Sequence, residues 1–371
     1  MSSGARAAAR LPAASGVADV VAAVVRPEIR ALTAYAVAKA DNLVKLDANE
    51  SPFPLPGALR ARIAAAVADV PFNRYPDGGA DDVVAALRAH LALPDGLGLI
   101  LGNGSDELIQ IIALTLARPG AVVLAPEPTF VMYRVSALYA GMRFVGVPLT
   151  ADFALDVDAM LAAIERERPA LVFLASPNNP TGNLFGAAEV ERVLRAAPGL
   201  VVVDEAYGAY TDESFLPRVR DFANLLVLRT VSKIGMAALR LGYAVAAPEW
   251  IAELNKVRQP YNLNALTQAA ARVLLGEGPL LAQHAAAIRT ERARLAAALT
   301  ELPHVRVFAT QANFVLMRVP DAPAWFARLR TDGILVKNLH GSHPALAQCL
   351  RITVGTPAEN DALLAALKGI A

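Results

Sequence analysis

The segment at residues 171–182, LVFLASPNNPTG, joins five consecutive apolar residues to a loop that carries two prolines and two asparagines. Short apolar runs bounded by turn residues are typical of parallel strands that helices cover on both faces. Comparable runs lie at residues 121–125, 200–203 and 225–228, and amphipathic helical patterns lie at residues 81–93, 106–117 and 187–197. This alternation of strand and helix predicts a doubly wound α/β domain with a mostly parallel sheet.

The sequence changes character after about residue 260, where a long alanine-rich helical pattern at residues 279–302 replaces the alternation. Strand patterns follow at residues 305–308, 314–318 and 350–354, before a last helix. We expect a large domain at residues 51–261 and a smaller α+β domain formed by residues 31–50 together with residues 262–371. Residues 1–30, rich in alanine, serine and glycine, are expected to be a disordered tail.

The composition argues against several classes of function. The 35 basic residues nearly balance the 34 acidic ones, so we expect no nucleic-acid partner and no membrane partner. Cys349 is the only cysteine, which excludes a disulfide within the chain and a cysteine metal cluster. An apolar run at residues 17–25 follows two arginines, but Asp19 interrupts it and no small-residue cleavage site comes after it. These features predict a cytoplasmic protein without a metal site.

Polar residues follow the predicted strands at their carboxyl ends, where ligands bind in open α/β sheets. Asp204 ends the run at residues 200–203, and a carboxylate in such a desolvated place needs a metal, an arginine or a protonated ring nitrogen as partner. Asn179 precedes Pro180 in a rigid loop and could donate a hydrogen bond to a ring oxygen. Taken singly, Asp204 also suits a helix cap or a salt bridge, and Asn179 an ordinary loop.

A glycine-containing turn at residues 102–107, GNGSDE, opens the next helical pattern. The free N–H groups at a helix start, here at Gly104, Ser105 and Asp106, can bind a phosphate. The same residues also suit an ordinary turn in which Ser105 or Asp106 caps the helix.

Lys233 follows the run at residues 225–228 and has hydroxyl residues before it and an arginine after it. Thr230, Ser232 and Arg240 are suited to a phosphate ester. A lysine whose pKa is lowered is suited to imine formation, although an isolated loop lysine is commonly a solvated charge.

These elements together match the requirements of pyridoxal phosphate. This cofactor needs an amine for its aldehyde, a carboxylate for its pyridine nitrogen, a donor for its phenolic oxygen and an anion site for its phosphate. The residues that we predict to meet these needs are Lys233, Asp204, Asn179, Tyr207, Gly104, Ser105, Asp106, Thr230, Ser232 and Arg240.

From about residue 32 to the C-terminus, the chain resembles the fold-type I aminotransferases, and within them the histidinol-phosphate branch. The resemblance is carried by these segments: LDANESP at 46–52, RYPD at 74–77, GNGSDE at 102–107, NPTG at 179–182, DEAY at 204–207, SK at 232–233, LRLGY at 239–243 and LRITVG at 350–355. It implies a large domain that binds pyridoxal phosphate, and transamination between glutamate and histidinol phosphate in L-histidine biosynthesis.

The resemblance also implies roles for residues outside the strand ends. Phe130 would stack on the pyridine ring, and Tyr75 would reach the cofactor phosphate of a neighbouring subunit, so the active unit would be a homodimer. Arg351 would bind the glutamate carboxylate. The expected substrate-binding residues are Tyr35, Asn49, Lys337 and Arg351.

Two departures from the family pattern affect these expectations. Many relatives separate the lysine and the arginine by eight residues, whereas Lys233 and Arg240 are seven apart. Lys337 stands where relatives often have an arginine, so a point charge replaces a bidentate fork. A threonine-phosphate decarboxylase and a broad aromatic or alanine aminotransferase remain alternatives. A non-catalytic regulator is disfavoured because about 30 unpatterned residues precede Tyr35, too few for a DNA-binding domain.

Overall fold

The computed structural model describes residues 16–34, 40 and 42–370, and its contacts divide the chain into a unit at residues 1–39 and a second at residues 40–371. In the first unit, helices α1 (Val17–Val24) and α2 (Pro27–Arg30) occupy residues for which the sequence predicts disorder. Local interactions explain the difference. The Asp19 carboxylate accepts a hydrogen bond from the Gly16 N–H at 3.1 Å, and Pro27 opens α2, where its missing N–H costs nothing.

The second unit is built on two β-sheets. Its strands are β1 (Val44–Leu46), β2 (Gly98–Asn103), β3 (Val122–Glu127), β4 (Arg143–Pro148), β5 (Leu171–Ala175), β6 (Leu200–Asp204), β7 (Leu225–Thr230), β8 (Leu241–Ala246), β9 (Arg306–Val307), β10 (Phe314–Arg318), β11 (Ile334–Asn338) and β12 (Cys349–Thr353). Its α-helices are α3 (Gly57–Ala68), α4 (Asp81–His90), α5 (Ser105–Leu116), α6 (Met132–Tyr139), α7 (Val157–Glu167), α8 (Ala187–Ala196), α9 (Pro248–Val257), α10 (Ala265–Leu275), α11 (Gly278–Thr300), α12 (Ala322–Thr331) and α13 (Pro357–Lys368). Among the described residues, no helix combines the length and the apolarity that crossing a bilayer requires.

The larger sheet has the strand order β2-β8-β7-β6-β5-β3-β4, with β8 antiparallel to both its neighbours and the other pairs parallel. Alternate residues of β5 point to opposite faces. Val172 and Leu174 pack with side chains of α7 and α8, whereas Leu171 and Phe173 pack with side chains of α5 and α6. The predicted doubly wound, mostly parallel domain is confirmed.

The smaller sheet has the strand order β1-β11-β12-β10-β9. Its first strand comes from the start of the second unit, because β1 pairs in parallel with β11 and places Val44 opposite Ile334. The other three pairs are antiparallel. This pairing places Val44–Leu46, which lie within the range 31–50 predicted for the smaller domain, on the smaller sheet.

The core of the larger sheet includes residues beyond 262, the start of the predicted smaller domain. Helix α10 packs against α3 and α4, and its Ala271 and Leu274 belong to the core of the larger sheet. In α11, Leu281 still belongs to that core, whereas Ile288 and the residues after it pack with the smaller sheet. Helix α11 therefore spans both cores. Composition conceals this change because α10 and α11 are equally rich in alanine.

Candidate active site

Three predicted site residues stand at one edge of the larger sheet. Because β5, β6 and β7 are parallel neighbours, their carboxyl ends meet at the same edge. Asn179 lies in the loop after β5, Asp204 is the last residue of β6, and Lys233 follows β7 in a 3₁₀ turn. The fold thus brings together the residues that carry the predicted chemistry.

Asp204 is a buried carboxylate with two hydrogen bonds. Only 4% of the residue is exposed. Its Oδ2 accepts from the Tyr133 hydroxyl at 2.7 Å, and its Oδ1 accepts from the Ala206 N–H at 3.0 Å. Burial raises the pKa of Asp204 to about 6, and the bond from Tyr133 opposes this rise by stabilising the ionised form. Asp204 is therefore suited to hold a positive charge brought by a ligand.

Tyr133 was not predicted from the sequence, although it holds the carboxylate. It lies on α6, is fully buried and stacks its ring on Phe173 with 4.3 Å between ring centroids. Phe130 meets the same ring edge-on at 5.7 Å. Its spacing of three residues from Phe130 predicts that the two rings lie close together, but does not indicate that the hydroxyl meets Asp204.

Lys233 is held by its backbone and by its side chain. Its carbonyl oxygen accepts a hydrogen bond from the Tyr210 hydroxyl, and its Nζ donates to the Ala48 carbonyl at 3.2 Å. Burial, and next the positive charge of Arg351, lower the pKa of Lys233 to about 8. About a tenth of this amine is therefore neutral, and nucleophilic, at pH 7, which is far more than for an ordinary lysine.

The residues predicted to form an anion site gather around the start of α5. Arg240 Nη1 lies 3.5 Å from Ser232 Oγ, and Nη2 lies 3.5 Å from Asp106 Oδ2. Gly104 precedes Ser105 at the helix start with φ +85°, and a Cβ on this glycine would lie 2.6 Å from Arg240 Nη2. The guanidinium thus approaches the helix N-terminus as closely as a glycine allows, and this arrangement suits a phosphate.

The seven-residue spacing does not separate the lysine from the arginine. Gly235 at φ +99° and Arg240 at φ +49° both adopt left-handed conformations, which turn the short connection back toward α5. The Thr230 hydroxyl is buried and bonds within this loop, to Ser232 Oγ at 2.9 Å and to the Leu241 carbonyl at 3.1 Å. These bonds favour a role for Thr230 in shaping the loop over direct contact with a cofactor.

The loop after β5 is tied to its surroundings by both asparagines. Asn179 Oδ1 accepts from Arg351 Nη1 at 2.5 Å. Asn178 is fully buried, where its Oδ1 accepts from Thr129 Oγ1 at 2.8 Å and its Nδ2 donates to the Pro128 carbonyl at 2.9 Å. Asn178, which was not singled out in the sequence, therefore connects Asn179 to the segment that carries Phe130.

Two cationic residues stand opposite each other on the smaller sheet. Arg351 of β12 pairs in register with Lys337 of β11, and directly opposed residues share a sheet face. Arg351 is buried, donates from Nη2 to the Asp47 carbonyl at 2.7 Å and lies 5.2 Å from the Phe314 ring centroid. Lys337 is half-buried. The predicted pair of cations is therefore brought to one place, next to Asn179.

The surroundings of Asn49 do not match the substrate contact that the sequence predicts for it. It is 1% exposed and adopts a left-handed conformation at φ +55°. Its Nδ2 donates to the Tyr207 hydroxyl at 2.9 Å, and its Oδ1 accepts from Thr353 Oγ1 at 3.2 Å. Because its side chain is enclosed and bonded on both polar atoms, this geometry favours positioning of Tyr207 over contact with substrate.

Tyr75 lies apart from the residues described above. It is 81% exposed, and its ring stacks on Tyr261 with 4.7 Å between centroids. Phe72, three residues earlier, is 77% exposed. Tyr35, which was also predicted to contact substrate, lies outside the described residues.

The chain is similar to known proteins over most of its length. The family described as aminotransferase class I and II matches residues 41–367. The chain is 57% identical to the histidinol-phosphate aminotransferase of Chromobacterium violaceum, over 93% of this chain and 97% of that protein. It is 50% identical to histidinol-phosphate aminotransferase 1 of Ralstonia nicotianae, over 97% and 99% respectively.

A solved structure of a relative has a similar three-dimensional fold. The histidinol-phosphate aminotransferase of Sinorhizobium meliloti, in complex with pyridoxal-5′-phosphate, matches this structure with a TM-score of 0.83 and 27% identity. The match covers 94% of this chain and 98% of that one.

Proposed function

The chain belongs to the aminotransferase class I and II family, and on that premise we propose that it transfers the amino group of glutamate to imidazole-acetol phosphate, which gives histidinol phosphate and 2-oxoglutarate. This reaction belongs to L-histidine biosynthesis. Relatives that share half or more of their residues with the chain, over nearly their whole length, support the assignment.

The site residues fit the cofactor of this family, pyridoxal phosphate. They supply a buried carboxylate, an amine with a lowered pKa and a helix N-terminus beside an arginine. Gly104 supports this fit independently, because a Cβ at that position would fill the space beside Arg240. When bound, the cofactor supplies an aldehyde for amines and a ring that withdraws electrons from the carbon that bears the substrate nitrogen.

Lys233 and Asp204 carry the chemistry in this proposal. Lys233 would hold the cofactor through its amine, and the same amine, when free, would act as the general base that removes the substrate Cα proton and returns it. Its pKa of about 8 suits both tasks. Asp204 would keep the pyridine nitrogen protonated, and Asn179 and Tyr207 would bind the phenolic oxygen. Phe130 would cover the ring, and Ser105, Ser232 and Arg240 would hold the phosphate.

The register of Lys337 opposite Arg351 is the observation that carries the substrate assignment. The site must bind a carboxylate in one half-reaction and a phosphate in the other, and this pair offers two positive charges on one sheet face. Arg351 serves both substrates. Lys337 adds a second positive charge. A phosphate carries nearly two negative charges, so it interacts with this lysine more strongly than a carboxylate does. Tyr35 remains a proposed third contact to the phosphate.

An acceptor comparison tests the function. The wild-type enzyme should use imidazole-acetol phosphate far better than phenylpyruvate or pyruvate, and histidinol phosphate far better than histidinol. Equal use of histidinol and its phosphate would overturn the substrate assignment. Release of CO₂ from threonine phosphate would indicate the decarboxylase instead.

Lys337→Ala tests the phosphate contact itself. The kcat/KM for histidinol phosphate should fall about ten- to a hundredfold, as expected for a lost charge-assisted contact of about 1.5–3 kcal/mol, and the value for glutamate should fall less. Lys256→Ala, at an exposed lysine of α9, should change neither value. Equal losses for both substrates in Lys337→Ala would remove the phosphate role.

We propose that the active unit is a homodimer in which Tyr75 completes the partner's site. Tyr75 and Phe72 expose large aromatic surfaces, and the partly exposed ring of Tyr261 stacks on Tyr75 and forms an apolar patch with it. Exposed apolar patches commonly mark association surfaces. A tyrosine on such a patch can hydrogen-bond to a phosphate in the partner's site.

A further inference from the structure

A buried hydrogen-bond network links the smaller sheet to the loop after β6. Asn49 donates from its backbone N–H to Thr353 Oγ1 at 2.9 Å and from Nδ2 to the Tyr207 hydroxyl at 2.9 Å. Asn313 Nδ2 donates to the Asn49 carbonyl at 3.0 Å. All four residues are less than 5% exposed, so water does not compete for these bonds.

The network fixes which end of the Asn49 amide faces Tyr207. The Thr353 hydroxyl accepts from the Asn49 N–H, which leaves its own proton to be donated. The acceptor for that proton is Asn49 Oδ1 at 3.2 Å. The oxygen therefore faces Thr353 and the nitrogen faces Tyr207, whereas a flipped amide would take away the acceptor of the buried Thr353 hydroxyl proton.

The direction of this bond decides what Tyr207 can do. Its hydroxyl oxygen accepts from Asn49, so its own proton cannot point along the same line and must point elsewhere. Burial raises the pKa of Tyr207, and the phenol therefore keeps its proton at neutral pH. The Tyr207 ring centroid lies 5.9 Å from Lys233 Nζ, which puts the phenol beside the amine that holds the cofactor.

We propose that Asn49 is a positioning residue that makes Tyr207 a hydrogen-bond donor toward the cofactor. Asn49 acts through Tyr207 and does not touch the substrate. The proposal rests on the proposed function, because it needs pyridoxal phosphate at Lys233. It does not depend on which oxo acid the enzyme uses.

The backbone at Asn49 explains why this residue type suits the position. Its φ of +55° is left-handed, and asparagine and glycine tolerate this conformation better than other residues do. Asparagine alone of these two carries a donor that reaches Tyr207. Aspartate has the same shape, but its carboxylate would accept from the phenol and draw the proton away from the cofactor.

The test is a double-mutant cycle on the pH at which the absorbance of enzyme-bound pyridoxal phosphate changes. A donor to the phenolic oxygen of the cofactor stabilises its more negative form, so loss of the donor raises this midpoint. Asn49→Asp is made in wild type and in Tyr207→Phe. The added carboxylate charge acts in both backgrounds and cancels in the difference between them.

The expected result is a rise of the midpoint that is larger in wild type than in Tyr207→Phe, by about one pH unit, as one hydrogen bond to a charged group would give. Asn49→Gly, which preserves the backbone conformation, should raise the midpoint less in wild type and not at all in Tyr207→Phe. Equal shifts in the two backgrounds, for both substitutions, would mean that Asn49 supports only the fold.

A second measurement keeps the test independent of activity. The dissociation constant of pyridoxal phosphate from apoenzyme should rise severalfold in Asn49→Asp, and this substitution should add nothing in the Tyr207→Phe background beyond its charge. If wild type bound no pyridoxal phosphate, the proposed function would fail first. If wild type bound it and the cycle showed no coupling, only the role of Asn49 would be lost.

Discussion

The Tyr133 hydroxyl donates to Asp204 Oδ2 across 2.7 Å, inside a site where both residues are buried. Asp204 thereby keeps one strong donor, but burial still raises its pKa to about 6. Without a cationic partner, the ionised form of such a carboxylate costs folding free energy. A bound ligand with a protonated ring nitrogen offsets this cost. At neutral pH the folded site is therefore more stable with such a ligand than without it.

This cost should be visible in the stability of the apoenzyme. The pKa of Asp204 rises from 3.8 in the unfolded chain to about 6, so its stabilising contribution is complete below pH 3.8 and is lost as the pH rises through 6. The loss amounts to about 3 kcal/mol. Compared with wild type, Asp204→Asn should raise the Tm of the apoenzyme at pH 8 but not at pH 4, in differential scanning calorimetry.

Asp158→Asn removes an exposed carboxylate and serves as the control, for which no pH-dependent gain is expected. The gain in Asp204→Asn should come with a loss of transamination by several powers of ten, equivalent to about 4 kcal/mol or more. A Tm difference that is the same at both pH values, or an activity loss below about tenfold, would show that Asp204 is merely structural.

The lowered pKa of Lys233 leads to a second prediction. Only the neutral amine reacts with an aldehyde, so the rate at which apoenzyme binds pyridoxal phosphate should rise with pH around a midpoint near 8. Arg351→Gln should move that midpoint upward because it removes a positive charge, whereas Arg351→Lys should leave it near the wild-type value. Stopped-flow absorbance measures these rates. An unchanged midpoint in Arg351→Gln would contradict the electrostatic link.

The strands that end at the site were predictable because buried parallel strands are continuously apolar. The predicted strand at residues 171–175 coincides with β5, and Asp204 directly follows the apolar run of β6. The carboxyl ends of neighbouring parallel strands always meet at one edge of the sheet. The sequence alone therefore predicts that Asn179, Asp204 and Lys233 lie close together. Their roles in catalysis remain predictions.

Other features could not be predicted, for reasons that differ. Strand register is not encoded in any local pattern, so the pairing of Lys337 with Arg351 required the structure. Tyr133 lies on an apolar helix face, where periodicity indicates burial but not which polar atom the hydroxyl meets. For Asn49, the resemblance suggested substrate contact, but its amide is enclosed by Tyr207 and Thr353.

Gly104 provides a third prediction, with a matched control in the same chain. Gly104→Ala would place a Cβ 2.6 Å from Arg240 Nη2 and strain a backbone with φ +85° and ψ 164°, a region that is essentially restricted to glycine. Gly120→Ala also meets a positive φ, +77°, but open space surrounds its Cβ. Both substitutions should lower the Tm of the apoenzyme, each by a strain of about 1–3 kcal/mol.

Only Gly104→Ala should also weaken the binding of pyridoxal phosphate, by roughly tenfold or more, because it displaces a guanidinium from the phosphate. Fluorescence titration of the apoenzyme gives the two dissociation constants. A loss of affinity of the same size in Gly120→Ala would attribute the effect to stability rather than to the anion site.

The last prediction concerns the subunit to which Tyr75 contributes. If Tyr75 completes the partner's site, then Tyr75→Ala and Lys233→Ala subunits should complement each other. In a hybrid dimer, one site carries both defects and the other carries none. Equal mixing with free exchange should restore roughly a quarter of the wild-type activity, since half of the dimers are hybrids with one intact site each.

Asp204→Asn mixed with Lys233→Ala is the matched control for this complementation. Asp204 and Lys233 follow neighbouring strands of one sheet in one chain, so every site of their hybrid keeps one defect and no activity should return. Rescue must therefore depend on Tyr75. Its 81% exposure, together with that of Phe72 three residues earlier, is the reason to expect that it serves another subunit. If the Tyr75→Ala mixture stayed as inactive as the control mixture, Tyr75 would belong to the site of its own chain, and the proposed exchange of residues between subunits would be wrong.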